Sequence, residues 1–188
     1  MQSTLVIYET GFAMREGYRF PELLKDPAFP YLPVQLQEQW RGIKDSVPSL
    51  TKKLWQRQPE FNRTLTAALH KAGVPIMAGT DALGFQFLIP GTSLHKELRL
   101  LEESGFTPYE VLQAATTIPA KFLGKDDEFG TIAPGKRADV LLVEGNPLED
   151  LAFLEKPLGV MVRGIWLPRE KLDQMLEPLA AHASGTQN

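Results

Sequence analysis

Hydrophobic periodicity changes character several times along the chain. Thr4-Leu-Val-Ile-Tyr8 is a β-branched and aromatic run that predicts a buried strand. Residues 11–50 lose that regularity, with Pro21, Pro27, Pro30, Pro33 and Pro48 among scattered aromatic and charged side chains. This predicts a long excursion with short helices, of the kind that serves as a lid or insertion. From Pro59 the period becomes helical. Phe61, Leu65, Ala68 and Leu69 recur at spacings of three and four, and Gly73 stands just past the helix end. Val74–Ala78 then reads as a second buried strand. Helix, glycine and strand in that order form an αβ unit, which favours a parallel sheet.

Beyond a Gly- and Pro-containing loop, Ala82–Ser93, the positions Leu94, Leu98 and Leu101 predict a helix to Glu103, closed by Gly105. Thr107-Pro-Tyr-Glu110 has the form of a capping box with proline at the first helical position, opening a helix to about Ala115. A shorter helix follows Thr117 and stops at Gly124. From Glu128 the pattern turns to strands. A Pro134-Gly135 turn leads into a strand over Ala138–Val143, Asn146-Pro147 marks another turn, and Val160–Leu167 reads as two short strands about Arg163-Gly164. Residues 169–180 predict a last amphipathic helix, and the tail from Ala183 is polar, as disordered ends are.

Composition narrows the function classes. The 188 residues suffice for one domain with a proper core, and a hydrophobic content of 43% with 23% charged residues is ordinary for a globular chain. A net charge of −3 gives no basic stripe for nucleic acid. No apolar run reaches the length of about 18 residues that a membrane span needs. The opening Met1–Glu9 lacks the basic region and cleavage site of a signal peptide, and reads as a chain entering in mid-strand. The absence of cysteine excludes disulfides, thiolate zinc sites and cysteine nucleophiles.

The candidate chemistry centres on Asp81. Val74-Pro-Ile-Met-Ala-Gly-Thr-Asp81 is an apolar run that ends in one carboxylate, which is how α/β barrels set a catalytic group at their C-terminal rim. Such a carboxylate can ligate a metal or take a proton from metal-bound water; an aspartate after a strand also commonly caps a turn. His95, in the first turn of the following helix, is placed to reach the same rim, or is an ordinary polar residue at a helix start. Tyr8 and Glu9 end the first predicted strand and would share that rim as substrate contacts or structural hydrogen-bonding groups. Glu97 is two residues from His95 and so faces away from it, towards local partners or solvent. His70 suits the negative end of its helix. His182 lies in the tail, Asp139 fits a turn organiser, Lys136 and Arg137 a solvated turn, and Trp40, Trp55 and Trp166 packing. A catalytic zinc typically needs three protein ligands. The chain has three histidines in all, with no His-x-His, no His-Glu-x-x-His, no Gly-x-Ser-x-Gly and no phosphate-binding glycine loop.

Taken together, Ala78-Gly-Thr-Asp81, Ser93-Leu-His-Lys-Glu-Leu98, Gly105-Phe-Thr-Pro, Ala114-Ala-Thr, Pro119-Ala, Phe129-Gly-Thr-Ile-Ala-Pro-Gly-Lys-Arg-Ala-Asp139 and Asn146-Pro-Leu resemble the C-terminal part of the metal-dependent amidohydrolase superfamily, nearest its imidazolonepropionase-like and prolidase-like branch. Each piece is weak alone, but their order and spacing over about residues 60–167 are specific. Ser3-Thr-Leu-Val-Ile-Tyr8 resembles the seventh barrel strand of that family.

The resemblance implies an α/β fold: the last two βα units of a (β/α)₈ barrel over residues 1–127, with 11–50 as an insertion. Residues 128–168 would be the C-terminal share of a small β-sandwich, and 169–188 a terminal helix and tail. It implies that Asp81 ligates a divalent metal, zinc by preference, and acts as general base in hydrolysing a carbon–nitrogen bond of a small-molecule substrate. The family's first-strand His-x-His, fourth-strand Lys or Glu, and fifth- and sixth-strand histidines have no counterpart here. Two strands cannot close a barrel. The chain alone is therefore expected to be inactive and poorly soluble, needing a complementary N-terminal half or assembly with itself. Copies of the same chain would add only more Asp81 and His95. The alternative is a non-catalytic scaffold or interaction protein descended from such an enzyme.

Overall fold

The structure, a computed structural model, describes residues 1–16, 19–43 and 56–183, with side chains to residue 179. Helices α1 (Leu5–Arg15), α2 (Phe20–Leu23), α3 (Val34–Gly42), α4 (Gln58–Lys71), α5 (Thr92–Glu103), α6 (Pro108–Ala115) and α7 (Thr117–Phe122) precede a three-stranded sheet. Its strands are β1 (Val140–Leu142), β2 (Gly159–Val162) and β3 (Ile165–Pro168), and α8 (Arg169–Ala183) follows. The fold is thus α/β with a small antiparallel sheet, ordered β1-β2-β3. Trp55, Pro48 and residues 184–188, on which sequence expectations fell, lie outside the described residues; His182 lies in α8, beyond the last described side chain.

The first expectation to be corrected concerns residues 4–8. The parallel pairing is earlier and shorter: Gln2 bridges Met77, through Met77 N–H to Met1 C=O at 2.8 Å and Ser3 N–H to Met77 C=O at 2.8 Å. Leu5-Val-Ile-Tyr8 is the first half of α1. Its β-branched residues have high strand propensity, but tertiary contacts decide here. Leu5 and Val6 are buried in a cluster with Ile76, Leu88, Leu98, Leu101, Phe106 and Val111. The Val74–Ala78 segment is likewise extended over fewer residues than predicted, with Ala78 N–H turning to Ala114 C=O at 2.9 Å.

Helix ends follow the local signals. Gly73 and Gly105 stand at positive φ, 79° and 96°, one residue beyond the C-caps of α4 and α5, a conformation that glycine adopts without strain. The capping box of α6 is complete, with Thr107 Oγ1 accepting from Glu110 N–H and Glu110 Oε2 accepting from Thr107 N–H. The backbone N–H of Thr107, then its hydroxyl, hold the Glu110 carboxyl below its ordinary pKa. His70 Nε2 lies 3.2 Å from Glu110 Oε1, and its ring stacks on Phe106 at 3.8 Å, so it binds α4 to α6 as well as suiting the helix end. Thr107→Ala is expected to lower stability by about 1 kcal/mol, read as a shift in urea midpoint with unchanged slope. The apolar face predicted for α4 is different in fact. Phe61 is 61% exposed and Leu65 41%, while Pro59 and Thr66 are buried.

Residues 20–43 hold α2, a 3-10 turn at Phe29–Tyr31 and α3, and their apolar side chains form a second core. Phe20, Phe29, Leu32 and Trp40 bury together with Met14, Phe87 and Ile89. At the C-terminal end, β2 and β3 form a hairpin whose turn residues Arg163 and Gly164 both have positive φ, 50° and 82°, as a type I′ turn requires. Asp139 holds this turn, not the preceding Pro-Gly one: its Oδ1 accepts from Arg163 N–H at 2.7 Å and its other oxygen pairs with Arg137. The Arg163 N–H, then Arg137, keep its pKa below the ordinary value. Trp166 covers Gly159, where a Cβ would lie 2.3 Å from the indole, yet the tryptophan is still 42% exposed.

Candidate active site

Gln2 and Met77 lie side by side in the parallel pair, and the chain continues from Met77 through Ala78, Gly79 and Thr80 to Asp81. Gly79 is buried because the Gln2 side chain lies over it; a Cβ there would come within 2.2 Å of Gln2 Nε2. Asp81 emerges exposed at the end of this segment. Its backbone is left-handed, with φ 50°, and two further non-glycine residues of the same loop, Leu83 at 68° and Phe87 at 63°, share that conformation. Each such residue costs on the order of 1 kcal/mol or more, and persists only where surrounding contacts over-determine it.

Those contacts are visible. Ala82 N–H donates to Thr80 Oγ1 at 3.2 Å, Gly84 N–H to Asp81 C=O at 2.9 Å, and Leu83 N–H to Leu88 C=O at 3.2 Å. The Asp81 carboxylate lies over Gly84, where a Cβ would meet Oδ1 at 2.6 Å and Cγ at 2.8 Å. Beyond it Phe87, Leu88 and Ile89 are all buried, at 3%, 0% and 4% exposure. A loop that reads in sequence as Gly- and Pro-containing is thus pinned at its far end by three buried apolar side chains.

The other sequence candidates are placed elsewhere. Tyr8 and Glu9 lie within α1, not at a strand end, and Glu9 forms an ion pair with Arg63 of α4. His95 is half-buried in a cavity of about 360 Å³ lined by Asp26, Thr92, Lys96, Arg99 and Glu155, to which Asp81 does not contribute. Burial lowers its pKa, Glu155 opposes this, and Arg99 reinforces it. In the same cavity Lys96 pairs with Asp26 at 2.5 Å and Arg99 with Glu155. His70 is engaged with Glu110, as described above. Among the described residues, no group of three or more His, Asp or Glu is positioned to hold a metal ion. Asp81 is one ligand-capable side chain, and a metal site cannot be assembled around it from the described residues alone.

Sequence reasoning missed Glu97. It is not solvent-facing but fully buried. Oε1 accepts from Ser3 Oγ at 2.6 Å and Oε2 from Val6 N–H at 2.8 Å, while the Leu5 N–H also supports it. The carboxylate therefore occupies the N-terminus of α1, where the helix dipole and unpaired N–H groups favour an anion. Burial raises its pKa, against the lowering effect of Ser3, Val6 and Leu5. Ser3 Oγ also lies 3.2 Å from Met77 C=O, so Glu97 joins α5, the start of α1 and the segment that carries Asp81.

Comparison with known proteins defines the class. Residues 60–167 match the amidohydrolase family, more than half of the chain, and the protein belongs to that family. Imidazolonepropionases are among its homologues and prolidases among its structural neighbours. Ochratoxinase from Aspergillus niger is 37% identical over 92 residues, which are 48% of this chain and 18% of that protein. Imidazolonepropionase from Cereibacter sphaeroides is 37% identical over 102 residues, 52% of this chain and 24% of that one. The solved structure of bottromycin amidohydrolase superposes with a TM-score of 0.73 at 23% identity, covering 97% of this chain and 40% of its own; at that identity the likeness is one of fold. The matched region thus spans less than a quarter of these two curated relatives.

Proposed function

We propose that this chain contributes the Asp81 rim of a metal-dependent hydrolase of carbon–nitrogen bonds in small molecules, and that the hydrolase is completed by residues outside 1–188. The observation that carries the reading is the position of Asp81, exposed and conformationally fixed at the end of a segment in parallel pairing, within a region that matches the amidohydrolase family. Members of this family are generally metal-dependent, and the metal here, zinc by preference, would need its remaining ligands from the completing portion. Asp81 is this chain's ligand and the group that receives the proton of the attacking water, which it passes to the departing nitrogen. His95 lies in a cavity that Asp81 does not line, and Tyr8 and Glu9 lie within α1; none of the three is assigned to substrate.

Residues 1–127 are read as the last two units of a (β/α)₈ barrel and 128–168 as part of a composite β-sandwich. Exposed apolar surface supports incompleteness. An open cavity of about 720 Å³ runs beside the Val74–Met77 segment, lined among others by Ile76, Phe106, Ile118 and Phe122. Phe122 is 74% exposed, Ile132 85% and Ile165 67%. The apolar lining of this cavity, with Phe122 open to solvent beside it, is the surface a completing portion would cover. A complementary N-terminal half fits this better than self-assembly, because copies of this chain supply no His-x-His sequence.

The test is the intact mass and metal content of the protein from its source. A mass well above 21.0 kDa, or a copurifying chain with a His-x-His sequence, together with bound divalent metal and amide hydrolysis, is expected. A stable, metal-free species of 21.0 kDa that hydrolyses nothing would instead support the non-catalytic scaffold.

A further inference from the structure

We propose that residues 20–43 set the position of the Asp81 carboxylate, acting through Phe87 as an anchor, with Gly84 as the floor on which the carboxylate rests. The role of Asp81 in hydrolysis rests on the reading above; the mechanical coupling does not.

Phe87 lies six residues beyond Asp81, and its ring is held by side chains from the distant insertion. The ring centroid is 4.9 Å from Trp40, 5.5 Å from Phe20 in an edge-on contact, and 6.5 Å from Phe29, to which it is nearly parallel. Its backbone φ of 63° is unfavourable for a residue with a Cβ, so burial of the ring must hold it. Between the anchor and Asp81 the loop is closed by the Leu83 N–H to Leu88 C=O and Gly84 N–H to Asp81 C=O hydrogen bonds. Leu83 and Gly84 are themselves exposed, so they contribute no burial to stabilise this shape. The aromatic cluster around Phe87, together with Leu88 buried in the inner cluster, therefore supplies the stabilisation, and the turn transmits it.

At Gly84 the constraint is steric. This glycine does not have positive φ, so an alanine meets no backbone strain. What excludes a Cβ is the Asp81 carboxyl group, at 2.6–2.9 Å from all three of its terminal atoms. The Asp81 side chain is exposed, so it gives way by turning to another rotamer, which moves the carboxylate. Gly84 and Phe87 are thus positioning residues, one beneath the carboxylate and one behind the loop.

The experiment is carried out on the intact protein with ¹³C-labelled aspartate, the Asp81 carboxyl resonance being assigned by its loss in Asp81→Asn, and with amide exchange followed at Leu83, Gly84 and Leu88. Phe87→Gly removes the ring while permitting the backbone angle; unlike Trp40→Leu, it also frees the chain. It is expected to shift the Asp81 resonance and to speed exchange at those amides about tenfold, as local opening becomes easier. Trp40→Leu, remote in sequence, should act in the same direction. Phe87→Leu, which refills much of the space, should stay close to the parent. Gly84→Ala should shift the Asp81 resonance while leaving exchange at Leu88 unchanged; being on the surface, it remains decisive if a core variant fails to fold. An Asp81 resonance unmoved in either Phe87→Gly or Gly84→Ala overturns the proposal. The hydrolytic role is judged separately, by whether Asp81→Asn loses metal and activity.

Discussion

Asp81→Asn is expected to reduce hydrolysis by the intact protein by a factor of about 10³ or more while leaving its unfolding transition in place. Positioned proton transfer contributes about 10²–10⁴ in rate, and an amide can neither accept the proton nor serve as an anionic ligand. The fold has little at stake in the substitution. Asp81 is exposed, the turn hydrogen bond at this residue uses its backbone carbonyl, and asparagine tolerates the left-handed conformation at φ 50°. The pair of measurements is kcat/KM for a small amide substrate and a urea midpoint. A variant that keeps its activity would remove Asp81 from the chemistry. One that loses both activity and stability would make it a structural residue.

Glu97→Ala is expected to do the reverse and strike at stability, by about 4 kcal/mol. The Val6 and Leu5 N–H groups would each lose a buried acceptor, at roughly 1–3 kcal/mol apiece, and a cavity would remain. Glu97→Gln should be much milder. Its amide oxygen can accept from the start of α1, and the Ser3 hydroxyl can turn its proton to Met77 C=O, 3.2 Å away, while accepting from the new amide. The pH dependence distinguishes the two further. Burial raises the Glu97 pKa above its ordinary value, so the folded state holds this proton more tightly than the unfolded chain does. Its contribution is complete below the ordinary carboxylate range and is lost as pH rises through the folded pKa. Urea titrations across that window should show stability falling with pH in the parent and flattening in Glu97→Gln. A parent profile that rises through the same window would show that the hydrogen-bond donors outweigh burial.

The two residues also show where the sequence was readable. The place of Asp81 at the end of an apolar segment is legible because everything that sets it is local: the segment itself, two small residues and a turn. The capping box at Thr107, the glycines after α4 and α5 and the Arg163-Gly164 hairpin are legible for the same reason. Glu97 and α1 misled together. A helix usually announces its start with its own capping side chain, but Thr4 makes no such bond. The cap of α1 is Glu97, 91 residues away from Val6. Without that carboxylate in view, Leu-Val-Ile-Tyr reads as a strand and a glutamate on a polar stretch reads as solvated. The aromatic residues of 20–43 were visible in sequence, but what they grip was not, because Phe87 lies in a loop with no periodicity to mark it as buried.

Among the described residues, Phe85 alone packs against both apolar clusters. The inner cluster contains the neighbours of the paired segment and of Glu97; the outer one contains Phe20, Phe29, Trp40 and Phe87. Phe85 lies in the loop between Asp81 and Phe87, so a change of volume in either cluster reaches that loop through one side chain.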